Sequence, residues 1–162
     1  TVIGICGGYQ MMGESIEDPL HIEGNIELVP GLGLLPVKTI LTENKITDQC
    51  KFRYKQNDAI CEGYEIHMGI TDALEKSAPL NQMENGKRDG YWLTDTCWGT
   101  YIHGILDNEG VVKDLISAFD KTTGTATFDY KKFKEEQYDM LADHLRKNID
   151  MEYIYKQLSI DN

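Results

Sequence analysis

Gly4-Ile5-Cys6-Gly7-Gly8 has the form G-x-C-x-G and directly follows a short β-branched apolar run. This is the pattern of a nucleophile elbow, in which the reactive side chain sits on a tight strand-to-helix turn. Glycines around it let the backbone pass close by. A helix starting after Cys6 would point its partly positive end at the sulfur and favour the reactive thiolate. The Gly7 N–H is then placed to hold an oxyanion. A lone cysteine beside glycine is more often a small core residue. Here the strand, the glycines and the following helix all agree on a nucleophile. Gln10 lies one helical turn further on, where its amide could meet a substrate amide or carboxylate. Taken alone, it reads equally well as a solvated helix residue.

A cysteine nucleophile needs a base. His103 ends the run Gly99-Thr100-Tyr101-Ile102-His103 just before Gly104. In parallel α/β sheets ligands collect at the carboxyl ends of strands, so a histidine there could take the thiol proton and return it to the leaving group. The chain has four histidines. His21 falls in a loop-like stretch and His144 in an exposed-looking helical one. His67 is the rival, in Gly63-Tyr64-Glu65-Ile66-His67-Met68-Gly69, and its strand setting is less favourable than that of His103. The group that orients the base stays open among Asp107, Glu109 and Glu65, because Ile105 stands two residues after His103.

These residues need a scaffold. Thr1 to Ile5 reads as a buried strand, and Tyr9 to Glu14 as a short helix ending near Gly13. Residues 21–33 read as loop. Val37 to Leu41, Lys51 to Lys55 and Glu62 to Ile70 read as strands, the last with Tyr64, Ile66 and Met68 on one face and Glu65 and His67 on the other. Residues 81–90 form a turn region, and Gly90 to Leu93 and Gly99 to His103 are two late strands. Asn108 is placed to cap a helix carrying Val111, Val112, Leu115, Ile116 and Phe119 that Gly124 would end. A second helix is expected over 130–148, with Phe133, Leu141 and Leu145 as core candidates, and Asp150 caps a last short one. The mixture argues for an α/β fold in one domain.

Composition narrows the function classes. The formal net charge is −11, which opposes binding to nucleic acid or to an anionic membrane face. No apolar run reaches the roughly 20 residues of a membrane helix. The four cysteines include no C-x-x-C pair, so no zinc or other metal site is expected. Their low density suits reduced thiols and a cytoplasmic protein.

The elbow Gly4-Ile5-Cys6-Gly7-Gly8-Tyr9-Gln10 with a later histidine resembles the class I, or triad, glutamine amidotransferase family. Further stretches narrow the likeness to the C-terminal glutaminase domain of the cobyric acid synthase family: Gly31-Leu32-Gly33-Leu34-Leu35-Pro36, the Gly63–Gly69 segment, Gly99 to Asn108, and Tyr138 to Asp143. The resemblance implies a flavodoxin-like open, mostly parallel sheet flanked by helices. It implies glutamine hydrolysis with Cys6 as nucleophile and His103 as base. Gln10 would contact the substrate glutamine, and the Gly7 N–H would give one oxyanion donor. Glu65 and His67 fall in a family motif and are kept as additional site candidates. No cofactor is expected in residues 1–162. ATP and magnesium would belong to an N-terminal synthetase domain of the full-length protein, which would pass ammonia to corrin carboxylates in cobalamin biosynthesis. Other acceptors remain open, such as cobyrinic acid a,c-carboxylates or a cell-wall precursor. So do a different elbow hydrolase, with Asp72 or Asp95 as its acid, and a non-catalytic docking module.

The resemblance also implies strands before the elbow, including the loop of the second oxyanion donor. Residues 1–162 thus read as a glutaminase domain truncated at its N-terminus, without the upstream synthetase domain and prone to self-association. Loss of one oxyanion donor costs about 10²–10³-fold in rate. The purified 162-residue chain is expected to release little or no ammonia from glutamine in a coupled assay, and strong turnover would refute that expectation.

Overall fold

The computed structural model describes residues 1–117 and 129–158. It divides into two compact units, Thr1–Thr125 and Ala126–Asn162.

The first unit holds both sheets. Strand β1 (Val2–Ile5) runs into helix α1 (Gly7–Met12), which stops at Gly13. Then come β2 (Ser15–Glu17), β3 (Leu28–Pro30), the long β4 (Val37–Tyr54) and β5 (Ile60–Ala73). Short strands β6 (Asn81–Met83), β7 (Arg88–Asp89), β8 (Tyr91–Thr94), β9 (Cys97–Thr100) and β10 (Ile102–His103) follow. A 3-10 turn at Ile105–Asp107 leads into α2 (Glu109–Ser117). One sheet has the order β1-β9-β8. The other has the order β10-β5-β4-β2-β3, with β6 paired to β4 and β7 to β6.

The α/β class holds, but the expected mostly parallel pairing does not. Among the described residues only β1–β9 and β2–β4 pair parallel. The pairs β8–β9, β2–β3, β4–β5, β4–β6, β6–β7 and β5–β10 are antiparallel. The cause lies in the connections. Residues 55–59 join β4 to β5, and residues 95–96 join β8 to β9, both far too short for a parallel crossover. The expected strands Val37 to Leu41 and Lys51 to Lys55 are two stretches of β4, joined across a register shift between Leu41 and Ile46. The turn region 81–90 contains β6 and β7 around Asn85-Gly86.

Helix α1 lies on the first sheet through two glycines. Gly4 and Gly99 are register partners on β1 and β9. A Cβ on Gly4 would sit 2.6 Å from Met12 Sδ and 2.7 Å from Tyr9 Cα, and one on Gly99 only 2.1 Å from the Tyr9 ring. The glycine pair forms a trough that brings α1 down to backbone contact. Tyr9 and Met12 are buried there with Leu35, Val37, Tyr91 and Tyr101. A second cluster draws Trp98 from the first sheet, Phe52, Tyr54, Cys61, Met83 and Ile102 from the second, and Val111 from α2.

Asn108 does not cap α2 with its side chain. Its Oδ1 accepts from the Glu62 N–H, and its Nδ2 donates to the carbonyls of Glu62, Gly104 and Ile105. In α2, Val111 is fully buried while Ile116 is 42% exposed. Phe119 and Gly124 lie outside the described residues.

In the second unit, α3 spans Tyr130–Asn148, with Asp129 accepting from the Lys132 N–H at its start. Asp150 caps α4 (Met151–Gln157) through the Tyr153 N–H. Phe133, Leu141 and Leu145, expected in a core, are exposed.

Replacing Gly4 by alanine would drive a methyl into the Tyr9 backbone, which no rotamer change can relieve. We expect Gly4→Ala to lose about 1–3 kcal/mol of stability, read as a lowered urea midpoint. A midpoint equal to that of the parent would refute the trough.

Candidate active site

Cys6 sits at the turn between β1 and α1 with φ 53° and ψ −115°. A non-glycine residue in such a conformation stores about 1–3 kcal/mol and persists only where its surroundings impose it. Here they do. The Cys6 N–H donates to the Thr100 carbonyl at 2.9 Å, closing the last rung of the β1–β9 ladder, and α1 is clamped on the glycine trough directly after it. The half-buried thiol donates to the Ile66 carbonyl on β5 at 3.4 Å. Gly4 is the crowded glycine of the elbow, whereas Gly7 and Gly8 face open space.

All four cysteines are free. Burial, with the Glu65 and Asp89 charges, pushes the Cys50 thiol up to about 11, and burial raises that of Cys61. Both stay in the poorly nucleophilic protonated form at neutral pH.

Gly99 to His103 was expected as one strand and is two. β9 pairs with β1 up to Thr100, the chain bends at Tyr101, and β10 crosses to the second sheet, where His103 faces Tyr64 of β5. The imidazole stacks on the Tyr64 ring, with centroids 5.0 Å apart and planes 6° from parallel. His103 Nε2 is buried with no hydrogen-bond partner among the described residues. Cys6 and His103 therefore meet the same short stretch of β5, the thiol at Ile66 and the ring at Tyr64.

His67 is differently placed. The alternation on β5 is as expected, but its polar face is the buried one. Glu65 and His67 are 4% and 7% exposed, whereas Tyr64 and Ile66 are 43% and 40% exposed. His67 Nδ1 donates to the Gly69 carbonyl at 2.8 Å, and Nε2 lies 3.3 Å from Glu65 Oε1. Its ring stacks on Tyr101 at 3.7 Å. Both ring nitrogens are engaged, so neither is left to take a thiol proton. The structure separates the two rivals by their partners, a distinction sequence spacing does not carry.

Glu65 also bonds Lys87 Nζ at 3.0 and 3.1 Å, and Glu109 pairs with Lys113. Two of the three carboxylates considered for orienting His103 are thus engaged elsewhere. Gln10 donates from Nε2 to the Tyr101 hydroxyl at 3.3 Å. It lies over Gly69, where a Cβ would approach Gln10 Nε2 to 2.4 Å. Tyr101 continues the chain to Thr71 at 2.6 Å, and Thr71 to Thr39 at 2.7 Å. Burial raises the Tyr101 hydroxyl above its ordinary range, so it stays a neutral donor. Tyr9, Glu65, His67, Lys87, Asp89 and Tyr101 all line a cleft of about 410 Å³, which neither Cys6 nor His103 reaches.

Sequence reading missed Tyr64, Tyr101, Lys87 and Asp89. Their signal was slight, since an aromatic or charged residue beside a motif is ordinary. Asp89 accepts from Thr100 Oγ1, from Asn81 Nδ2 at 2.9 Å and from the Tyr101 N–H at 3.0 Å. Burial raises its carboxyl against the opposing pull of these bonds.

Burial alone would raise the Glu65 carboxyl too, but the bonds from His67 and Lys87 outweigh it and hold Glu65 below the usual carboxylate range. A depressed folded value stabilises the fold above the unfolded glutamate value of about 4.3. That contribution is lost as pH falls through the lower folded value. Glu65→Gln is expected to cost about 1–3 kcal/mol at pH 7 and to flatten the acid limb of stability against pH. A urea series from pH 7 to 3 checks both, and an unchanged acid limb would refute the assignment.

Comparison with known proteins gives the family of the chain. The family model for the CobB/CobQ-like glutamine amidotransferase domain matches residues 1–111. The chain is 55% identical over its whole length to cobyric acid synthase of Bacteroides fragilis, covering 33% of that protein. It is 53% identical to cobyric acid synthase of Parabacteroides distasonis, with 97% of this chain and 32% of the relative covered. It is 38% identical to that of Thermoanaerobacter sp., with 96% and 34% covered. The chain thus spans about a third of the length of these relatives. With more than half of its residues inside the matching model, the chain belongs to the CobB/CobQ-like glutamine amidotransferase family.

Proposed function

We propose that this chain is the glutaminase part of a cobyric acid synthase. His103 takes the Cys6 thiol proton, and the thiolate attacks the side-chain amide carbon of glutamine. The Gly7 N–H, at the first residue of α1, donates to the oxyanion that forms. Collapse of the tetrahedral adduct breaks the C–N bond. His103 returns its proton to nitrogen, so that ammonia leaves and a thioester stays on Cys6. Water then attacks the thioester, His103 takes its proton and passes it to the Cys6 sulfur, and glutamate departs. Gln10, anchored on Tyr101, contacts the substrate glutamine. One observation supports this reading above the others: the strained Cys6 elbow sets its thiol against Ile66 on the same stretch of β5 whose Tyr64 stacks on His103, while His67 is committed to other partners.

Ammonia would pass to corrin carboxylates, in keeping with the relatives' name. Their amidation needs ATP and magnesium. The chain spans about a third of the length of its relatives, and that half of the reaction is assigned to the rest of a longer protein. The net charge of −11 also suits a domain that handles zwitterionic glutamine rather than a polycarboxylate.

In the full-length protein, Cys6→Ala is expected to abolish glutamine-dependent amidation while leaving amidation from added ammonium intact. His103→Ala should lower the glutamine-dependent rate by about 10²–10⁴-fold. A glutamine-like diazo ketone should label Cys6. Unchanged glutamine-dependent turnover in Cys6→Ala would instead favour a docking module.

A further inference from the structure

The main chain on either side of His103 leaves regular pairing. After Thr100 it departs from β1, and at Gly104 it turns away from β5 with φ 72°. Backbone groups at such departures must find other partners or pay for desolvation. Ahead of His103, side chains supply them. Asp89 Oδ1 accepts from the Tyr101 N–H at 3.0 Å, and Thr100 Oγ1 accepts from the Ile102 N–H at 3.0 Å. Thr100 is itself held by Asp89 and Asn81.

Behind His103, Asn108 does the same. The β10–β5 register pairs Ile102 with Glu65 and His103 with Tyr64, and two steps further it would reach Glu62. The chain has turned away by then. The Asn108 amide takes that place, accepting from the Glu62 N–H and donating to the Glu62 carbonyl, both at 2.9 Å. Its Nδ2 also reaches the carbonyls of Gly104 at 3.2 Å and Ile105 at 3.1 Å. One side chain thus imitates a strand rung and pins the loop that follows the base. Ile105, two residues after His103, is fully buried and carries no carboxylate.

We propose that Asp89 and Asn108 are positioning residues that hold His103 from both sides through its flanking main chain, and so set its approach to Cys6. This rests on His103 being the base. Asn108 is the better probe, because Asp89 is woven into the buried knot with Asn81 and Thr100.

The test uses the full-length protein. Asn108→Ala is expected to lower kcat for glutamine hydrolysis by about 10- to 100-fold, the usual cost of a misplaced catalytic group, with KM changed by less than about three-fold. Titration with the diazo ketone counts folded sites, and it should still reach full labelling of Cys6. Asn108→Asp keeps the acceptor for the Glu62 N–H but loses the donated bonds, so it should show the same loss and is read alone if the alanine variant does not fold. A kcat per labelled site within about two-fold of the parent would overturn the proposal, leaving Asn108 a merely structural residue. Full activity in His103→Ala would instead remove the base assignment itself, a distinct outcome.

Discussion

The site depends on the close approach of helix α1 to the β1–β9 pair. Gly4 and Gly99 lie side by side across a parallel ladder, and no other residue type lets Tyr9 rest on the strands at that distance. The contact fixes where α1 begins. It therefore fixes the turn at Cys6, whose left-handed φ is held between the last β1–β9 hydrogen bond and the clamped helix. Packed interiors transmit such constraints because they have little room to relax. A shift of the helix would move the thiol with it.

The same constraint reaches His103 through β9. Thr100 anchors the elbow by accepting from the Cys6 N–H, and its hydroxyl joins the knot with Asp89 and Asn81. From there the chain crosses to the second sheet and meets β5 at Tyr64 and Glu65. A single strand end therefore serves both sides of the site. The proposed nucleophile hangs on its backbone carbonyl, and the proposed base follows three residues on.

Strand β5 separates two kinds of chemistry by its pleat. Its inward face carries Glu65 and His67, bonded to each other, to Lys87 and to the Gly69 carbonyl, with the His67 ring stacked on Tyr101. Its outward face carries Tyr64 and Ile66, exposed and apolar. A buried polar network is stable only when its members are satisfied, and this one is built that way. His67 belongs to the network, whereas the proposed base is the histidine whose Nε2 has no hydrogen-bond partner among the described residues.

The elbow was legible in the sequence because its determinants are local. Glycines around a cysteine after an apolar strand can fold few other ways, and the alternation on β5 and the Asp150 cap are equally short-range. Gly4 could be seen as an elbow glycine, but its partnership with Gly99 depends on register between strands far apart in sequence. The antiparallel majority, the strand switch at Tyr101 and the partners of the two histidines were likewise decided only in three dimensions. Asn108 shows the difference most sharply. Its local pattern reads as a helix cap, yet its amide spends its hydrogen bonds on Glu62 and the loop after His103. Side-chain amides bond whichever backbone groups the fold leaves unpaired, and which groups those are is known only once the strands have chosen their neighbours.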